Sequence, residues 1–96
     1  MYSMFDGCSK LTSLDLSSFD TSNVTGMRGM FNGCIGLTSL DLSGWNMSKV
    51  TDMSFMFRGC TSLTSIRMVR CEQPTIDKIK AQLAKDNITR FTIVTK

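Results

Sequence analysis

The sequence predicts an α/β solenoid, a stack of short parallel strands and short helices that ends in a helix–strand cap. The first observation is a motif that recurs every 26 residues, as "MFDGCSKLTSLDLSSF", "MFNGCIGLTSLDLSGW" and "MFRGCTSLTSIRMVRC" from positions 4, 30 and 56. The second is that the retained positions are mostly apolar or glycine, whereas the varied positions are mostly polar. A fixed period of this length is typical of repeats that pack only on their neighbours.

Each repeat contains a predicted strand. In "LTSLDLSSF", residues 11–19, Leu14 and Leu16 are two residues apart, so both face the interior of the stack. The residues that alternate with them, Ser13, Asp15 and Ser17, face outward and align from repeat to repeat. We call this surface the strand face, and it is the candidate binding site: Ser13, Asp15, Ser17, Ser39, Asp41, Ser43, Ser65 and Arg67.

Three interpretations of the strand face remain open. It is a polar contact surface for a protein or a glycan, a weak cation site between Asp15 and Asp41, or a set of small polar residues that keeps an exposed sheet soluble. The third interpretation is slightly favoured, because repeats copy their surface as faithfully as their core.

A turn and a short helix are predicted after each strand. In residues 20–36, "DTSN" is typical of a helix cap, and Val24, Met27, Met30 and Phe31 follow at offsets of three, six and seven residues. Gly33 would end this helix in the left-handed conformation. At the corner between strand and turn, Phe19 and its equivalent Trp45 are predicted to pack against the core rather than to form a stacking platform.

The last quarter of the chain departs from the repeat. Residues 74–86 predict a helix with Ile76, Ile79 and Leu83 on one face, and residues 88–96 predict a final strand. Residues 1–71 therefore hold about 2.5 repeats, the first of them truncated, and residues 72–96 form a cap of the same single domain. We expect the first strand, about residues 12–17, to be an open edge through which two copies could pair.

Four cysteines allow a metal site, disulfides or free thiols. Cys8, Cys34 and Cys60 are one period apart, so stacking places them in a column, whereas zinc requires ligands that converge on one point. Buried free thiols are therefore favoured, because free cysteine behaves as a small apolar residue. The pair Cys60 and Cys71 is the one disulfide left open.

Composition excludes several function classes. The chain has no histidine, which removes most general-base, nucleophilic-dyad and imidazole–metal schemes, so we expect neither catalysis nor a cofactor. The net charge of +3 divides into five acids and four bases (−1) over residues 1–66, and three acids and seven bases (+4) over residues 67–96. The basic segment suits either an anionic partner or a solvated helix face, and we favour the solvated face. We expect no nucleic-acid partner. No apolar run is long enough to insert into a membrane.

Residues 4–27 resemble, nearly word for word, the BspA-like leucine-rich repeat "MFxGCxxLTSLDLSxFDTSNVTxM" of microbial surface proteins and lipoproteins. The resemblance covers about residues 1–71. It implies a leucine-rich-repeat-like fold, a cell-surface or secreted location, and binding to proteins or glycans of a host or of neighbouring cells. It carries over no catalytic residue. The sequence thus predicts a non-catalytic adhesion or interaction module, with a structural spacer that binds no ligand as the alternative.

Overall fold

The computed structural model describes Phe5 and residues 7–96, and within this part the chain forms one four-stranded parallel sheet and one helix. The strands lie side by side in chain order, and the helix falls between the third and the fourth. This is an α/β repeat-like fold. Its elements are β1 (Ser13–Asp15), β2 (Ser39–Asp41), β3 (Ser65–Arg67), α1 (Gln73–Lys85) and β4 (Thr92–Val94).

The sheet reproduces the 26-residue period in its register. Leu14 of β1 pairs with Leu40 of β2, which pairs with Ile66 of β3. β4 continues the sheet beyond the repeats, with Ile93 beside Ile66. Each strand has only three residues, so the sheet depends on pairing between repeats and not on strand length.

The predicted short helices are absent from the described residues, and a series of tight turns takes their place. The Met30 N–H donates to the Met27 carbonyl at 3.3 Å, and the Cys34 N–H donates to the Phe31 carbonyl at 3.1 Å. Other amides of this segment donate to the next repeat instead. These bonds form a second ladder: Met27 to Asp52, Gly29 to Ser54, Phe31 to Met56, and Gly33 to Arg58, at 2.7–2.9 Å.

Two physical reasons explain why the helix prediction is wrong. An α-helix would use the same amides for bonds four residues back, but here those amides bind carbonyls of the neighbouring repeat. In addition, Gly29 and Gly33 have φ of 63° and 79°, which is left-handed backbone that breaks a helix. The apolar pattern that suggested a helix is satisfied by successive turns that bury the same side chains.

Most of the residues predicted to face inward form the core, whereas Leu14 and Val24 are half-buried against it. Met27, Met30 and Leu42 are fully buried. The phenylalanines stack from repeat to repeat, since the ring centroids of Phe5 and Phe31, and of Phe31 and Phe57, are each 5.7 Å apart. Such offset stacking adds to the stability gained from burial of the rings.

The corner aromatics also pack inward. Trp45 is buried, and its indole N–H donates to the Leu16 carbonyl at 2.9 Å. Phe19 is half-buried against the same core. The prediction that these two residues belong to the core, and not to a stacking platform, is confirmed.

The helix and the final strand predicted near the C-terminus are present as α1 and β4. α1 buries Ile76, Ile79 and Leu83, and it supplies polar side chains to the backbone of the last repeat. The Lys78 ammonium donates to the carbonyls of Met47 and Val50, at 2.7 and 3.2 Å. Just beyond the helix, the Asp86 carboxylate accepts the Phe57 N–H at 2.9 Å. Lys78 and Asp86 thus bind backbone groups of the last repeat that a further repeat would otherwise bind.

β1 and β4 are the two edge strands of the sheet. Pairing of two copies through β1 stays a prediction. Residues 1–4, with which the predicted first repeat begins, lie outside the described residues.

Truncation of the central ring of the stack should be strongly destabilising. Phe31→Ala removes a fully buried ring between two others, so we expect a loss of about 3–5 kcal/mol in the free energy of unfolding. Urea unfolding followed by circular dichroism measures it. The control Ile35→Ala, at a side chain 54% exposed, should change the free energy by less than about 0.5 kcal/mol. Equal effects in the two variants would contradict the stacked core.

Candidate functional site

The strand face is made of two rows of side chains that run across the sheet. Ser13, Ser39 and Ser65 align in one row, and Thr92 of β4 continues it. The other row contains two acids and a base: Asp15 pairs with Asp41, and Asp41 pairs with Arg67. Val94 of β4 is the last residue of this row. Strand alternation directs the side chains of both rows away from the side occupied by those of Leu14, Leu40 and Ile66.

A concave surface of about 260 Å³ lies over the first three strands. It is open to solvent and includes most of the residues that were predicted from the sequence. Its lining residues are Ser13, Leu14, Asp15, Ser39, Leu40, Asp41, Ser65 and Arg67.

The acid row is electrostatically unequal along its length. Two like charges directly opposite each other destabilise a sheet, and Asp15 and Asp41 form such a pair. On the other side of Asp41, the Arg67 guanidinium lies 3.9 Å from the carboxylate, with 56% of its side chain exposed. An ion pair this exposed contributes little to stability, and the Arg67 guanidinium is its more accessible group, since the Asp41 side chain is 27% exposed.

A short turn follows β1 and another follows β2, and each donates hydrogen bonds to the aspartate that ends the strand. The Ser17 N–H and hydroxyl donate to one oxygen of Asp15, at 2.9 and 2.6 Å. These bonds hold the pKa of the Asp15 carboxyl below its usual value, and the charge of Arg67 lowers it further. In β2, the Ser43 N–H donates to Asp41 in the same way, at 3.0 Å.

The prediction that Ser43 lies on the exposed strand face is wrong. Ser43 is only 3% exposed, and its hydroxyl accepts the Val69 N–H at 3.0 Å. The physical reason is that β2 ends at Asp41, so the strict alternation of faces ends there as well. Its equivalent Ser17 is half-buried and belongs to the turn rather than to the open surface.

None of the four cysteines of the described residues is in a disulfide, and two of them are buried. The thiols of Cys34 and Cys60 donate to carbonyls of the preceding repeat, Phe5 and Phe31, each at 3.1 Å. Burial raises the pKa of the Cys60 thiol to about 12. Cys8 and Cys71 are half-buried, so the expectation that all the cysteines are buried holds only for the two central ones.

The described residues contain no group of three or more cysteine or carboxylate side chains that could hold a metal ion. Nor, within residues 7–96, are Cys60 and Cys71 joined as a disulfide. The Cys71 thiol instead donates to the Leu42 carbonyl at 3.3 Å, as the Trp45 indole does one repeat earlier toward Leu16.

Phe55 is a surface feature that the sequence analysis missed. Its side chain is 44% exposed, and its φ is 61°. The signal that could have found it is the repeat alignment, because Phe55 takes the place of Gly29 one period earlier. An aromatic residue at this position departs from the glycine of the preceding repeat.

The comparison with family models gives the class of this chain. The family described as "Mycoplasma protein of unknown function, DUF285" matches residues 1–87, so the chain belongs to that family. It is a Mycoplasma repeat family related to BspA-like surface repeat proteins. No curated protein and no solved structure gives a significant match. Among the described residues, no helix is long and apolar enough to cross a membrane.

The thiols should differ in reactivity according to burial. With iodoacetamide at pH 8, we expect Cys8 and Cys71 of the native protein to be alkylated first, and Cys34 and Cys60 only after unfolding, because the thiolate is the reactive form and burial disfavours it. Peptide mass spectrometry with and without urea measures the order. Rapid alkylation of Cys60 in the native protein would contradict its buried position.

Proposed function

We propose that this chain is a non-catalytic interaction module that binds a protein or a glycan through its strand face. The observation that carries the proposal is the concave surface over β1–β3, in which serine hydroxyls, two carboxylates and a guanidinium converge within one accessible patch. Hydroxyl and carboxylate groups are suited to hydrogen bonds with sugar hydroxyls or with a peptide backbone.

The family relationship supports a surface role. On this proposal the repeats are BspA-like leucine-rich repeats, the sheet is the concave side of an α/β solenoid, and the parent protein is secreted or displayed on the cell surface. The 26-residue register of the strands and the recurring turn ladder are what a solenoid requires. The partner would be a protein or glycan of a host or of a neighbouring cell.

A structural spacer is the second candidate, and one observation favours it. The carboxylates of Asp15 and Asp41 already accept hydrogen bonds from Ser17 and Ser43. Asp20, which lies off the strand face, accepts the same pair of bonds from Ser22. The recurrence of these aspartates is explained by the turns that they stabilise, without a ligand.

Replacement of aspartate by asparagine separates the two roles, because the amide oxygen still accepts the turn bonds while the charge is lost. We expect Asp15→Asn with Asp41→Asn to weaken binding at least tenfold, with a melting temperature within a few degrees of the wild type. The probes are immobilised extracellular-matrix proteins and a glycan array, read by label-free binding.

The matched control is Asp20→Asn, which changes the same kind of turn outside the strand face and should leave binding intact. Arg67→Gln should weaken binding as the double variant does, since it removes the base from the same row. Binding that survives all these changes, or that falls equally in the control, would refute the strand-face module and leave the spacer.

A further inference from the structure

Phe55 is held in a backbone conformation that its side chain does not favour. The residue occupies the third position of a turn closed by the Met56 N–H and the Met53 carbonyl, at 3.1 Å. Its φ of 61° matches the 63° of Gly29 at the same place one repeat earlier. Turns with positive φ at this position call for glycine or asparagine, and a bulky residue there is a genuine outlier.

Burial does not compensate this strain. The Phe55 side chain is 44% exposed, although aromatic side chains elsewhere in the repeats, such as Phe31 and Phe57, are fully buried. Strained residues that persist without a packing role cluster at functional sites. The ring at position 55 therefore calls for a role at the surface.

Two arginines from different repeats flank the exposed ring. The guanidinium carbons of Arg58 and Arg28 lie 5.2 and 6.0 Å from the ring centroid of Phe55. Both arginines are exposed. Aromatic and arginine side chains are the types most enriched at the centres of protein interfaces.

A groove of about 570 Å³ begins at Arg58 and continues between the last turn segment and the loop after α1. Its size lies in the range of ligand-binding clefts. Arg58 and Arg90 are its basic residues, and Leu63 and Ile88 are buried in its floor. Asp86 also lines it, but that carboxylate is occupied by the Phe57 N–H and by the Gln82 amide, at 2.9 and 3.0 Å.

The charges and the ring define the partner. Three arginines favour carboxylates, while Phe55 and the apolar floor of the groove favour an aromatic or aliphatic side chain. A single-stranded nucleic acid fits less well, because it requires successive aromatic platforms along a basic track. Among the described residues the large exposed apolar side chains are Phe55 and Ile35.

We propose that Phe55, Arg28 and Arg58, with the adjoining groove, form a second interaction surface that binds an extended acidic peptide segment carrying an aromatic residue. This surface is separate from the strand face, so the proposal does not depend on the function proposed above.

The test is a titration of the ¹⁵N-labelled protein with the peptide acetyl-Glu-Glu-Phe-Glu-Glu-amide, followed by NMR. We expect saturable shifts confined to Arg28, to residues 55–59 and to residues 86–90, with affinity that falls as salt is added. The oligonucleotide dT6 is titrated in parallel.

Phe55→Gly restores the residue of the preceding repeat. We expect it to weaken peptide binding at least fivefold without lowering the melting temperature, and Arg58→Gln to weaken binding to a similar degree. The matched control is Arg70→Gly, because Arg70 also has positive φ, at 64°, where the preceding repeat has Gly44. It relieves the same strain and removes a positive charge elsewhere, so binding should persist.

The proposal would be overturned by an absence of saturable shifts, by shifts centred on β1–β3, by tighter binding of dT6 than of the peptide, or by equal loss of binding in the Arg70 control. A lower melting temperature in Phe55→Gly with unchanged peptide affinity would also overturn it, because Phe55 would then be a packing residue.

Discussion

Alternate backbone amides of residues 27–33 donate across the repeat boundary, and the rest of the structure depends on this arrangement. A lone repeat would leave those N–H groups without their partners in the next repeat, and buried backbone groups without partners are costly. The strands add a second set of bonds between the same repeats, one period apart. Each repeat is therefore held on two sides by its neighbour, and the core between these two ladders is apolar.

The same constraint determines which residues recur. At four places a side chain of one repeat donates to a carbonyl 29 residues earlier: Cys34 and Cys60 in the turn segment, and Trp45 and Cys71 after the strand. Thiol and indole donors satisfy backbone carbonyls inside an apolar core, which small aliphatic residues cannot do. Near the C-terminus, Lys78 donates to backbone carbonyls and Asp86 accepts a backbone N–H of the preceding repeat, because most backbone groups of α1 are already paired within the helix.

Much of the fold follows from the sequence, and the parts that do not follow have identifiable causes. The strands and the inward-facing residues could be predicted from the period, because Leu14, Leu40 and Ile66 recur every 26 residues and alternate with polar residues. Offsets of three and seven residues at Met27, Met30 and Phe31 suit a helix and a series of turns equally well. Gly29, in the middle of the segment, distinguishes the two, because its left-handed backbone breaks a helix, whereas Gly33 also suits a helix end.

The candidate site was predictable where strand alternation applies and not beyond it. Residues 13–15 and 39–41 lie where the alternation places them, whereas Ser43 lies past the end of its strand and turns inward. Phe55 was not predicted because the prediction used the positions that are retained between repeats. Phe55 is instead a position at which the repeats differ, since the preceding repeat has Gly29 there.

The most direct test of this account is a measurement of scalar couplings across hydrogen bonds in the ¹⁵N,¹³C-labelled protein. We predict a correlation from the Phe31 amide nitrogen to the Met56 carbonyl carbon, and from Gly33 to Arg58, which join residues 25 apart. Correlations from Phe31 to Met27, four residues back, would instead show an α-helix in each repeat and would contradict the dependence of one repeat on the next.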